Sequence, residues 1–222
     1  MTTAELLNQP MSLVLIVALL GLVPLLAMAL TAFVKISTVL HITRSAIGAP
    51  SVPSNAVILA LSAALTLIAM APVGARISAR LLPAVEQPAP NATQLIVNLA
   101  TAVREPMRDF LSANASASEK SRFLKLAKES AGDPALIGAD DLSVIIPAFI
   151  VSELIAAFAL GFAIYLPFLV IDLVVSNVLL SLGMSMMNPV QISLPFKLLL
   201  FVASDGWGLL AQNLVSGYSS GG

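Results

Sequence analysis

Two stretches of this chain, each long enough to cross a bilayer as a helix, carry no charge at all. No charged residue falls between Glu5 and Lys35, and none between Arg44 and Arg76. A spanning helix needs roughly 20 predominantly apolar residues, and both stretches exceed that. From Leu142 to Gly222 the only charges are Glu153, Asp172, Lys197 and Asp205, which leaves room for about two more spans. In hydrocarbon every backbone polar group must be satisfied within the segment, so such stretches fold as helices. The expected fold is all-α: membrane-associated helical hairpins, kinked at proline, around a small inserted helical polar domain. Pro24, Pro72, Pro147 and Pro167 mark the expected kinks or breaks.

The composition agrees. The chain is 58% hydrophobic and 10% charged, with a mean hydropathy of +0.97, against about 25% charged residues in a soluble domain. A net charge of -1 leaves no basic footprint for nucleic acid. With no cysteine there is no disulfide and no thiolate metal site, and the single histidine, His41, cannot make a histidine-cluster metal site within one chain. No Gly-rich phosphate loop is present. No catalytic residue, metal or cofactor is therefore expected, and the chain reads as something other than an enzyme.

Charge divides the chain into three parts: an N-terminal apolar hairpin (1–74), a central polar helical domain (75–141) and a C-terminal apolar hairpin (142–222). The central part holds eight basic and eight acidic residues, with Pro83, Pro88 and Pro90 near its start. Leu95, Ile96, Leu99, Ala100 and Val103 recur at helical spacing, with Pro106 expected to bend or end that helix. A second helix is expected over 118–131, with Ser118 as N-cap and Phe123, Leu124 and Ala127 inward. Lys120, Arg122, Lys125 and Lys128 would line its solvated side. Ala27-Met28-Ala29 offers a cleavage pattern for a secretory signal. No positive charge precedes it, and the run exceeds an ordinary signal core of about 7–15 residues, so a retained helix is expected. Lys35 and Arg44, read as charges on a short loop between the first two spans, would face the cytoplasm, which puts the central domain on the outer side.

An ionisable group in a membrane segment costs several kcal/mol unless paired or hydrated, and is a functional candidate by default. Lys197 is the only base after Lys128. Glu153, Asp172, Lys197 and Asp205 are thus expected to form a buried charge network, with Glu153–Lys197, between neighbouring copies, the favoured pair and Asp172–Lys197 its rival. Proton relay or ion coordination in a small secondary transporter is the alternative use of these groups. The second candidate site is the run from Gly183 to Lys197. Met184, Met186 and Met187 cluster there, and Gly183, Pro189 and Pro195 are expected to shape an irregular loop. Thioether side chains are apolar and adaptable, and irregular backbone at membrane depth is tolerated only inside protein or beside a cavity.

The chain resembles the R subunit of the type III secretion export apparatus, whose flagellar counterpart is FliP. The residues that carry this are Ile-Pro-Ala-Phe, Ser-Glu-Leu, Gly-Phe-Ala-Ile-Tyr-Leu-Pro-Phe-Leu-Val-Ile-Asp-Leu-Val-Val-Ser, Ile-Ser-Leu-Pro-Phe-Lys-Leu and Asp-Gly-Trp within 145–218, and Thr-Ala-Phe-Val-Lys-Ile-Ser and Pro-Ser-Asn within 31–72. The resemblance implies a homo-oligomer of five copies joined to small S subunits and one T subunit. It also implies bent helical hairpins and an assembly in the bacterial inner membrane, displaced toward the periplasm. Membrane lipid and unfolded secretion substrates are the other implied partners, and the methionine loop is implied to line the narrowest part of the pore. The family's usual Gly-Met-Met-Met is altered here: Ser185 replaces the middle methionine and Met187 adds one beyond it. The virulence or symbiosis branch fits better than the flagellar one.

Overall fold

The computed structural model describes residues 21–22, 24–49, 51–86, 92–130, 135, 137–184 and 186–218. Among them every regular element is helical. Helical residues 24–29 precede α1 (Phe33–Ile47) and α2 (Asn55–Glu86). Then come α3 (Ala92–Asn114), α4 (Ala117–Ser130), α5 (Leu142–Ser181), α6 (Pro189–Ala203) and α7 (Gly206–Ser216). The stretch Asn55–Pro83 and the whole of α5 are long and apolar enough to cross a membrane, and α6 with α7, bent by 58° between them, could make a third crossing. Most of the expected first span lies outside the described residues.

Three threonine hydroxyls within these apolar helices satisfy themselves locally, whereas the buried Ser62 hydroxyl of α2 makes no hydrogen bond among the described residues. Thr38, Thr43 and Thr66 each donate to the carbonyl four residues back, at 2.7, 2.9 and 2.6 Å. This removes the desolvation cost that a bare hydroxyl would carry in an apolar setting.

Several expectations about where helices stop are corrected. Of the kinks or breaks expected at proline, breaks are absent from α2 at Pro72 and from α5 at Pro147 and Pro167, where the chain stays helical, as it does at Pro83 in α2. Pro106 is buried inside α3, which runs on to Asn114. Ala100 and Val103 are exposed there, because the buried face of α3 is set by Ala102, Pro106, Phe110 and Leu111. The side chains of Leu95, Ile96 and Leu99 lie outside the described residues. α4 begins one residue earlier than expected, with Ser116 as its cap: its hydroxyl accepts from the Glu119 amide at 3.3 Å. Phe123, Leu124 and Ala127 are half-buried and Arg122, Lys125 and Lys128 exposed, as the spacing implied, but Lys120 is half-buried and donates to the Ser112 carbonyl at 2.8 Å. Lys35 and Arg44 lie on α1, not on a loop, and Lys35 is buried. The orientation argument built on them as loop charges therefore loses its premise.

The chain forms two compact units. One contains Met70–Ser152; the other consists of Val34–Ala69 and Glu153–Tyr218. In the first, Val144, Ile145, Ala148 and Phe149 make one buried stripe at the start of α5. Phe149 meets Phe110 of α3 with ring centroids 5.7 Å apart. Each such fully buried aromatic stabilises by about 1.5–3 kcal/mol. The Ser152 hydroxyl accepts from the Ser116 amide at 2.9 Å, which fastens the α3–α4 turn to α5.

In the second unit α1 is the central element. Ile36, Val39, Leu40, Thr43, Ala46 and Ile47 are buried at helical spacing. Ala46 and Ile47 pack with Phe168 of α5 and Phe201 of α6. Phe201 also meets Trp207 edge-on at 5.1 Å. Gly161 lets α5 approach α1: a Cβ there would lie 2.6 Å from Ile42 Cδ1 and 3.1 Å from Ile42 Cβ. The second distance matters because a β-branched side chain cannot swing its own Cβ away. Gly161→Ala is expected to destabilise by about 1–3 kcal/mol through overpacking. Thermal unfolding of the purified protein measures this, and Ile42→Ala in the same chain should recover part of the loss.

Candidate functional site

α5 is 40 residues long and carries both acids of interest, Glu153 and Asp172. At a helical rise of 1.5 Å per residue they stand about 28 Å apart along its axis, so they form two separate stations.

The first station is a closed triad. Lys35 Nζ donates to Glu153 Oε1 at 3.3 Å, with side chains only 8% and 4% exposed. The Tyr218 hydroxyl donates to the other carboxylate oxygen of Glu153. Lys35 Nζ also lies 3.7 Å from the Tyr218 ring centre, a cation–π contact. Burial first, and then the Glu153 carboxylate, push the Tyr218 phenol above its ordinary value.

The second station closes the far end of α1. Lys197 Nζ donates to Asp172 Oδ2 at 2.6 Å and to the Ala46 carbonyl at 3.3 Å. Ala46 lies in the last turn of α1, whose final carbonyls have no partner within the helix. A buried cation there satisfies one of them and complements the helix dipole. Gly48, at φ +85°, turns the chain out of α1 beside it, and a Cβ at that position would fall 3.2 Å from Val190 Cγ1. The Ser193 hydroxyl donates to the second oxygen of Asp172.

The methionine loop joins α5 to α6. Gly183 adopts φ +73°, the left-handed conformation that ends a helix without Cβ strain. The Met184 amide donates to Leu179 O at 2.9 Å and the Gly183 amide to Leu180 O at 3.1 Å. That pair of bonds is a Schellman cap. Asn188 caps α6 by accepting from the Val190 amide at 3.0 Å, and Pro189 occupies its first turn, where a missing N–H costs nothing. Met184, Met186 and Met187 are all exposed, Met186 completely. Ser185 lies outside the described residues. Pro195 does not shape the loop: it sits inside α6.

A model of the FliP family matches residues 16–214. The chain belongs to the FliP family. Among curated relatives, "Pathogenicity-related ORF2" of Xanthomonas campestris pv. glycines is 42% identical over 93% of this chain and 95% of its own. The "Hypersensitivity response secretion protein HrcR" of Ralstonia nicotianae is 40% identical over 93% and 96%. The "Yop proteins translocation protein R" of Yersinia pestis is 41% identical over 96% and 98%. Within the FliP family these similarities put the chain among the R subunits of type III secretion in virulence and symbiosis systems.

Within this single FliP-family chain the charges pair as the rival expectation had it for Lys197. Lys197 pairs with Asp172, the rival partner, and Glu153 is taken by Lys35. Asp205 joins neither station. It is exposed, at φ 50°, at the bend between α6 and α7. Sequence reasoning missed Lys35, Tyr218 and Ser193 as members of these stations. Lys35 was legible as the lone base in a long apolar run, but reading it as a loop charge hid it. Tyr218 gave no signal, since one tyrosine near the end of an apolar segment has many ordinary uses.

Proposed function

We propose that this chain is a pore-forming subunit of a type III secretion export gate, passing unfolded proteins across the bacterial inner membrane without catalysing a reaction. Five copies assemble with S and T subunits, and the assembly is displaced toward the periplasm, with residues 75–141 on that side. The observation that carries the reading is the loop from Gly183 to Asn188. It offers three exposed thioether side chains between a Schellman cap and a capped helix start, so its ends are rigid while its side chains are free. An exposed apolar cluster of this kind is stable only against lipid, protein or a constriction. One loop per copy, converging on an axis, makes a hydrophobic constriction that closes by dewetting and repacks around a passing chain. The secondary-transporter alternative is less favoured, because Glu153 and Asp172 are each engaged by a lysine and a hydroxyl donor.

Replacing Met184, Met186 and Met187 together by alanine is expected to raise ion leakage through the assembled complex while its size is unchanged. The leucine triple variant should stay closer to wild type. Conductance in planar bilayers, with native mass spectrometry as the assembly control, measures both. An assembled alanine variant as tight as wild type would show that the seal lies elsewhere.

A further inference from the structure

Residues 189–218 form a strap with two polar ties to the same pair of helices, α1 and α5, besides the packing of Phe201 and Leu210 at the Ala46–Ile47–Phe168 cluster. Lys197 holds it near its start, through Asp172 and the Ala46 carbonyl. Tyr218 holds its end, through Glu153 and the face it offers to Lys35. Between the two ties lies the 58° bend at Ser204–Asp205, where Asp205 makes no side-chain capping bond to α7.

The two ties differ in kind. Withdrawing Lys197, itself 2% exposed, strands a buried ammonium and leaves Asp172 without its countercharge. Withdrawing Tyr218 strands no charge: the phenol is neutral, and Lys35 and Glu153 remain paired with each other. Besides the Tyr218 tie, α7 is held among the described residues by apolar contacts alone: Leu214 is buried, Leu210 packs against the cluster at Phe201, and Trp207 meets Phe201 edge-on. Moving these side chains against lipid or an apolar neighbour loses little, because hydrocarbon surroundings are as apolar as the site they leave. We infer that Tyr218 is a releasable latch: α7 swings about the bend at Asp205 when the phenol leaves the Lys35–Glu153 pair, while the Lys197 tie holds α6 in place. The motion gives the strap after the methionine loop one fixed end and one free end. Only the purpose of that motion, adjusting the constriction, rests on the pore reading.

Hydrogen exchange followed by mass spectrometry on the purified full-length assembly tests the latch. In the wild type, amides of 206–218 should exchange faster than those of 189–203. Tyr218→Phe keeps the ring over Lys35 and removes only the hydroxyl. It should speed exchange of 206–218 by about tenfold, the worth of one hydrogen bond to a charged acceptor, and leave 189–203 unchanged. Uniform protection across 189–218 in the wild type would overturn the inference, even if the variant failed to assemble. So would a variant whose exchange is unchanged, or one in which α6 loosens equally. Leakage of the methionine variants is read separately, so a failed pore reading leaves the exchange result to decide the latch by itself.

Discussion

Lys35→Met is expected to destabilise the assembled protein by about 3–5 kcal/mol, the usual cost of leaving a buried charge without its partner. It leaves Glu153, whose side chain is 4% exposed, with a neutral phenol as its remaining donor in the triad. Glu153→Gln should cost less, because the amide oxygen still accepts from Lys35 or Tyr218. Removing both charges, as Lys35→Met with Glu153→Met, should recover most of the loss, since a buried pair replaced by apolar groups of similar volume is often neutral. Thermal unfolding of the detergent-solubilised assembly supplies the four corners of a double-mutant cycle. Coupling between positions 35 and 153 should be large, about 3 kcal/mol or more, and that between 153 and 197 close to zero. The reverse pattern would show that Glu153 finds Lys197 in another copy, and that the Lys35 pairing does not govern stability.

At the second station Asp172→Asn is expected to do at least as much damage as Lys197→Met. The usual intuition favours the lysine, which makes two hydrogen bonds. Burial decides otherwise: the lysine side chain is 2% exposed and the aspartate 21%. Losing the acid strands the more deeply buried charge, at about 3–5 kcal/mol. Losing the base strands a carboxylate that is less enclosed by this chain and that keeps Ser193 as a donor. Lys197→Met also strips a carbonyl at the end of α1 of its partner. Loosening should therefore appear at the C-terminal turn of α1 and the Gly48 turn, read as faster amide exchange over 44–49. Protection there that matches the wild type would show that the Ala46 contact contributes nothing.

The sequence by itself determined the class of the protein. Long uncharged runs can lower their free energy only as helices in an apolar setting, because the backbone must satisfy itself there. Polar and apolar regions were legible for the same reason: charge is a property of composition and needs no knowledge of contacts. The capped ends of the methionine loop were also local, since Gly183 and Asn188-Pro189 act within a few residues of themselves.

What composition could not decide was pairing and continuity. Pro106 and Pro195 mark breaks by local rules, yet both lie inside helices, and at the buried Pro106 tertiary packing overrides the local penalty. The partners of Glu153 and Lys197 could be chosen only in three dimensions. Glu153 reaches back 118 residues to Lys35, and Lys197 reaches 151 residues to the Ala46 carbonyl. No pattern within a single segment encodes such distances. The packing of α1 against α5, at the Gly161–Ile42 approach, sets which lone charges meet.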